Sequence, residues 1–148
     1  MSSGESTIDA RIDALAAKVS NWGRWGPDDE LGTLNLITPE KRLEAAACVR
    51  SGDVLSLALE LRSDLPQPPG SGRLNPQHLM TETGSDAALA DAVSGYSDDV
   101  LAMSIHAATH WDALSHVFHR GFMYNGRSCA KVTAGGAQVN DVLPLSRR

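Results

Sequence analysis

The sequence has little of what marks several large classes of protein. Only two cysteines occur among its 148 residues, Cys48 and Cys129, and they form neither a C-x-x-C pair nor a cysteine-rich zinc pattern. No run approaches the ~20 apolar residues that a membrane span needs. The first twenty residues also lack the basic start and long apolar run of a secretory signal. We therefore expect a cytoplasmic protein with reduced cysteines and no membrane partner.

An excess of positive charge is also missing. Thirteen lysines and arginines face eighteen aspartates and glutamates, which gives a net charge of -5. Nucleic-acid binding needs a basic stripe, so this composition argues against nucleic acid as a partner. Hydrophobic residues make up 42% of the chain, which predicts a globular protein. The length predicts a single domain over 1–148, with a helix and a tryptophan-rich loop in 1–50 and a strand-rich, metal-binding part in 51–148.

Hydrophobic spacing and helix-start signals predict an α/β (α+β) arrangement. Three stretches are predicted to be helical: 7–19, 39–50 and 128–135. The second begins with Thr38 as a capping residue and Pro39 at the first helical position. Period-two alternation and β-forming residues predict three strands: 54–61, 79–80 and 98–106. Two stretches rich in proline, glycine or polar residues are predicted to be loops: 63–76 and the residues from 84 onward.

Four of the five histidines lie within fourteen residues, in the run H-A-A-T-H-W-D-A-L-S-H-V-F-H from His106 to His119. His106, His110, Asp112 and His116 all fall on even positions, which face one side of an extended chain. On a helix His110 and Asp112 would lie about 160° apart, so the spacing favours an extended segment. Four extended residues span about 13 Å, however, which is too far for two ligands of one ion.

The distance between the first two histidines therefore predicts a bend at Ala107 and Ala108. Two imidazoles and a carboxylate form a common ligand set for a catalytic divalent ion. A fourth position is left to water, which the metal makes available as hydroxide at neutral pH. His106, His110 and Asp112 are the predicted metal ligands, and His116 is the predicted general acid/base.

Other conspicuous residues allow two interpretations. Trp22 and Trp25 could line a substrate pocket or anchor their loop against the core. His78 and His119 are interpreted as structural histidines. Asp28, Asp29 and Glu30 are interpreted as a solvated acidic turn.

The histidine run closely resembles the H-x-G-T-H-x-D-x-P-x-H signature of the metal-dependent cyclase family, which includes kynurenine formamidases and isatin hydrolase. The tryptophan-rich segment N-W-G-R-W-G-P-D-D-E-L-G-T-L-N and the segment N-P-Q-H-L-M from Asn75 to Met80 resemble the same family. The resemblance extends from about Trp22 to Ala137. Ala108 stands where the family has glycine, and the family's proline corresponds to Leu114 or Ser115.

The resemblance implies a swivelling β/β/α fold, here incomplete, with His106, His110 and Asp112 as metal ligands and His116 as acid/base. It implies that the metal is zinc, or manganese as in some members of the family. It implies an arylformamidase- or cyclase-like hydrolase acting on C–N bonds other than peptide bonds. The small-molecule substrate would be an amide, cyclic amide or imide, formamide or lactone. Family members form oligomers, and their longer chains supply a further histidine and glutamate. This sequence would match the N-terminal half, completed by a longer precursor, a homo-oligomer or a second chain.

Two other functions are compatible with parts of the pattern. A truncated or partner-requiring subunit would bind metal without catalysis. The H-x-D pair also opens the two-histidine, one-carboxylate triad of non-haem iron oxygenases. No histidine follows His119, whereas most such enzymes take their last histidine from a distant strand, so the hydrolase is preferred.

Overall fold

The computed structural model describes residues 3–90 and 93–147, which contain both helices and strands. The helices are α1 (Ser3–Val19), α2 (Pro39–Ala47) and α3 (Gly84–Leu89). The strands are β1 (Gln77–Glu82), β2 (Asp98–Ala102), β3 (Phe122–Met123), β4 (Arg127–Ser128), β5 (Val132–Thr133) and β6 (Gly136–Ala137). Each of three small sheets is one antiparallel pair: β1 with β2, β3 with β4, and β5 with β6. The predicted mixture of helix and strand is confirmed.

The chain divides into two compact units. One comprises the described residues up to 52 and from 112 onward, and the other comprises residues 53–111. The single domain expected over 1–148 stays a prediction. No helix in the described part of the chain has the length and apolar character of a membrane span.

The first two predicted helices are confirmed. The Thr38 side chain accepts a hydrogen bond from the Lys41 amide at 3.3 Å, as a capping residue should. Helix α2 ends at Ala47, three residues before the predicted end. The amides of Cys48 and Val49 bond to the carbonyls three residues earlier, which tightens the last turn and closes the helix.

Strand β1 confirms the strand predicted at 79–80 and extends it at both ends. Strand β2 begins where predicted but ends at Ala102, so the expected continuation to His106 is wrong. The predicted polar loop after Gly84 is also wrong at its start, because α3 forms there. Thr83 and Asp86 cap this helix reciprocally, which is a capping box that stabilises even a short helix.

The segment 54–61 forms no strand, although its alternation predicts one. Its four leucines, Leu55, Leu57, Leu59 and Leu61, are exposed by 85%, 94%, 60% and 53%. A strand needs a hydrogen-bonded neighbour, and within the described residues no strand pairs with this segment. The alternating pattern therefore predicted a strand in a segment with no neighbouring strand, among the described residues, to pair with.

The helix predicted over 128–135 is also wrong. Residues 127–137 form β4, a 3₁₀ turn over Cys129–Lys131, and the β5–β6 hairpin. The β-branched Val132 and Thr133 pair with Ala137 and Gly136. Gly136 has φ +106°, a conformation that glycine adopts readily and that suits the reversal.

A polar network joins the tryptophan-rich loop to the C-terminal part of the first unit. Asp29 accepts hydrogen bonds from the Gly32 amide at 2.8 Å, from Asn35 at 2.7 Å and from the Tyr124 hydroxyl at 2.8 Å. Partial burial would raise the pKa of Asp29, but these hydrogen bonds bring it below its usual value. Burial and the same carboxylate raise the pKa of Tyr124 to about 12. Asp29 is therefore an anchor, and its interpretation as a solvated residue is wrong.

Asn140 is the centre of this network and is completely buried. Its Oδ1 accepts from Arg127 at 2.7 Å, and its Nδ2 donates to the Tyr124 carbonyl at 2.9 Å. Its backbone amide donates to Glu30 at 2.9 Å, and its carbonyl accepts from the Ser115 amide at 3.0 Å. Asn140 therefore links the acidic turn to the segment that carries His116.

Candidate metal centre

The backbone bends at the first histidine of the run. His106 lies in a 3₁₀ turn over Ile105–Ala107, closed by a bond of 2.9 Å from the Ala107 amide to the Ser104 carbonyl. Ala108 then returns to extended backbone, with φ -139° and ψ -172°. The predicted bend is confirmed, although it includes Ile105 and His106 and excludes Ala108. The expectation of an extended chain at His106 itself is wrong.

Ala108 needs no glycine-like conformation, because its φ is one that any residue adopts. Ala107 and Ala108 are both buried, with 6% and 8% of their surface exposed. Their small side chains let the turn pack closely, so the alanine at position 108 is compatible with this backbone.

The rings of His106 and His110 meet edge to face. Their centroids are 4.7 Å apart at an interplanar angle of 82°, and Nδ1 of His106 lies 2.9 Å from Nε2 of His110. Nδ1 of His110 lies 2.8 Å from the Ala108 carbonyl oxygen. A carbonyl only accepts, so this Nδ1 carries hydrogen, and Nε2 holds the lone pair of the neutral ring. Such a backbone contact commonly fixes the tautomer of a metal-binding histidine.

His106, His110 and Asp112 together could hold a metal ion. Each offers one ligand atom, and these atoms all lie within 4.8 Å of one another. His106 is half-buried and the other two are exposed, so an ion could reach them from solvent. Two imidazole nitrogens and one carboxylate oxygen suit zinc and other divalent first-row ions. The donor chemistry therefore fits a divalent ion.

The loop 63–76 supports the turn that carries His106. Gln67 donates to the Ala107 carbonyl at 2.9 Å and to the Asn75 side chain at 2.7 Å. Asn75 in turn donates to the carbonyls of Ser63 and Leu65. No role was predicted for Gln67, because a single amide side chain in a proline-rich loop belongs to no periodic pattern. Asn75 belonged to a segment noted only for its resemblance.

His116 lies beside Asp112. It sits in a 3₁₀ turn over Leu114–His116, and its Nδ1 is hydrogen-bonded to Oδ1 of Asp112. Ser115 in the middle of this turn is 1% exposed, and its amide is held by Asn140. The structure thus places the predicted acid/base against one predicted ligand, on a backbone fixed by a buried contact.

An apolar cavity of about 360 Å³ opens in the first unit next to Asp112. Its other walls include Trp22, Phe122 and Tyr124, and His119 also lines it. Trp22 therefore lies in the wall of a cavity that Asp112 also lines. Trp25 does not line this cavity, and the Arg24 guanidinium lies 4.9 Å from its ring centroid.

Comparison with known proteins gives a similarity to a solved structure. No protein-family model matches the chain, and no curated protein matches it. The chain is similar to a crystal structure described as a novel cyclase, with 34% sequence identity and a TM-score of 0.80. The similarity covers 87% of this chain and 44% of the other. The chain therefore spans less than half the length of that structure, with which it shares its fold.

Proposed function

We propose that the chain belongs to the metal-dependent cyclase family and is a hydrolase of an amide, cyclic amide or imide, formamide or lactone. The observation that carries this proposal is the group of His106, His110 and Asp112, with His116 bonded to Asp112. The similarity to a cyclase structure supports it. The swivelling β/β/α architecture of the family is part of the same proposal.

In this proposal His106 and His110 provide imidazole ligands, and Asp112 provides a carboxylate oxygen to zinc or manganese. A divalent ion supplies Lewis acidity, which lowers the pKa of water to about 7 and polarises a carbonyl oxygen. One oxygen of Asp112 is bonded to His116. Asp112 would thus both bind the ion and orient the histidine beside it.

His116 moves the proton in this mechanism. Because Asp112 accepts from Nδ1, the lone pair of the neutral ring is on Nε2. Nε2 would take a proton from the attacking water and return it to the leaving nitrogen or oxygen. Trp22 would line the substrate pocket next to these groups, whereas the proposed role of Trp25 is to anchor its loop.

A second function has a specific observation in its favour. The chain spans 44% of the similar structure, and the leucines of 54–61 are exposed. Both fit a subunit that binds metal and needs further polypeptide, from a second copy or another chain, before it turns over substrate.

One experiment separates the two functions. The purified chain, loaded with zinc or with manganese, is incubated with N-formyl amines, cyclic imides and lactones. We expect hydrolysis of at least one class, abolished by a chelator and restored by the metal. Bound metal without turnover would favour the partner-requiring subunit. Turnover that survives complete metal removal would contradict both.

A further inference from the structure

We propose that His119 is a polar contact for the substrate in the cavity beside Asp112, and that Asp13 and Arg120 are positioning residues that fix its ring. The inference deepens the proposed function, because it concerns the same cavity. From the sequence alone, His119 was interpreted as a structural histidine. The structure places it in the wall of a cavity whose other lining residues, apart from Asp112, are apolar or aromatic.

The ring of His119 is held by a carboxylate from the other end of the chain. Its Nε2 lies 3.0 Å from Oδ1 of Asp13, which belongs to α1. A carboxylate only accepts, so Nε2 carries hydrogen in either charge state of the ring. In the neutral ring Nδ1 is then the acceptor. His119 can therefore meet a ligand as an acceptor for an N–H or O–H group.

Asp13 is itself fixed by Arg120. The guanidinium makes two bonds to the carboxylate, Nε to Oδ1 at 3.0 Å and Nη2 to Oδ2 at 2.8 Å. This two-pronged geometry is directional as well as attractive. The hydrogen bond from Arg120 also holds the pKa of Asp13 below its usual value, so the carboxylate is ionised at neutral pH.

The backbone of the turn from His119 to Phe122 adopts an energetically unfavourable conformation. His119 and Phe122 exchange two backbone hydrogen bonds, 2.8 and 2.9 Å long, across a tight turn. The residues at its tip, Arg120 and Gly121, have φ of +51° and +81°. Glycine adopts this region freely, but a residue with a side chain does not. This conformation lets the side chains of the neighbouring residues His119 and Arg120 both contact Asp13. Backbone strain of this kind clusters at functional sites.

The cavity has room for a small aromatic amide. Its volume of about 360 Å³ lies at the lower end of the range for small-molecule pockets. Trp22, Phe122 and Tyr124 offer aromatic surface, and His119 adds an acceptor. A ligand with an aromatic ring and an N–H group would satisfy both features.

The test uses two probes that differ in one group. Benzamide has an N–H donor, whereas methyl benzoate has a similar ring and carbonyl but no donor. Binding to the full chain is followed by NMR of the His119 ring nitrogens, without metal and without turnover. Failure of the metal site or of catalysis therefore leaves this measurement intact. We expect benzamide, and not methyl benzoate, to shift the Nδ1 resonance.

Three variants complete the test. H119F should weaken benzamide binding by about threefold to tenfold, the effect of one hydrogen bond, and change methyl benzoate binding less than about twofold. H119Q retains an acceptor and should restore most benzamide binding. R120G suits the positive φ and keeps the turn, but it releases Asp13 and should reduce the preference for benzamide.

The proposal is overturned if neither probe binds the cavity, if H119F weakens the binding of both probes by the same factor, or if H119F binds benzamide as well as the original chain does. Circular dichroism of each variant establishes that it is folded before binding is compared. A loss shared by H119F and H119Q for both probes would likewise assign His119 a purely structural role.

Discussion

Replacing His116 with alanine should lower turnover about 10²–10⁴-fold and leave the metal bound, the usual loss for a general acid/base. The imidazole is not one of the three proposed ligands, so its removal leaves the two histidine nitrogens and the Asp112 carboxylate in place. The turn that carries it is held by the buried Ser115 and its bond to Asn140, and neither depends on the ring. Turnover is measured on the substrate class that the panel identifies.

His78 provides a matched control for this substitution. It also pairs with an aspartate, at 2.5 Å from Asp99, but it lies on β1 and belongs to neither the ligand set nor the cavity wall. H78A should keep full turnover. If H116A turned over substrate as fast as H78A, the assignment of His116 as acid/base would be wrong. If H116A lost its metal, the ring would have to be assigned to the ligand set instead.

Replacing Asn140 with alanine should give the largest loss of stability of any substitution considered. The change removes a hydrogen bond to a charged Arg127, worth about 1.5–3 kcal/mol, and one to a backbone carbonyl, worth about 0.5–1.5 kcal/mol. Asn140 also has φ +60°, where alanine costs roughly 1 kcal/mol more. We expect a loss of about 3–5 kcal/mol in the free energy of unfolding, measured by urea denaturation.

Two further substitutions separate these contributions. N140G keeps the backbone conformation and removes the side chain, so it should be less destabilised than N140A by roughly the 1 kcal/mol of the backbone cost. N140D keeps an acceptor for Arg127 and loses the donor to the Tyr124 carbonyl. Equal stability of N140A and the original chain would show that the network is not what holds the tryptophan-rich loop in place.

The parts of the fold that local sequence determines were predictable. The cap at Thr38 with Pro39 behind it placed the start of α2, and the spacing of Ile8, Ile12 and Leu15 placed α1. The start of the short α3 is also marked locally, by the reciprocal cap of Thr83 and Asp86. It was not predicted, because the polar composition of the region indicated a loop. These elements depend on residues within a few positions of one another.

The segment 54–61 shows the limit of such patterns. Alternating leucines fit a strand, but a strand also depends on a neighbour that no local pattern contains. The polar network around Asn140 was not predicted, for a related reason. Asn140 bonds to Glu30 across 110 positions, and Tyr124 to Asp29 across 95. Isolated polar residues so far apart have no period or motif that would connect them.

The candidate metal centre was the most predictable part, because its residues lie within one short run. The parity of the positions and a limit on the distance between two ligands were enough to group the three candidate ligands and to require a bend. They did not predict that His106 itself would lie within the turn, or that Gln67 would support it. The contact between His119 and Asp13 was not predicted, because Asp13 lies on α1 at the opposite end of the chain.

The most direct test of the account is the amount of metal that the chain binds. The apo chain is titrated with zinc against a chromogenic chelator, and the retained ion is quantified by elemental analysis. We expect about one ion per chain, bound as well by H116A as by the original chain. H110A and D112A each remove a proposed ligand. They should therefore weaken zinc binding by more than about 10–100-fold, which is the usual loss when a residue that only supports a metal ligand is replaced. An original chain that holds no divalent ion, or H110A and D112A variants that bind zinc as tightly as it does, would contradict the account.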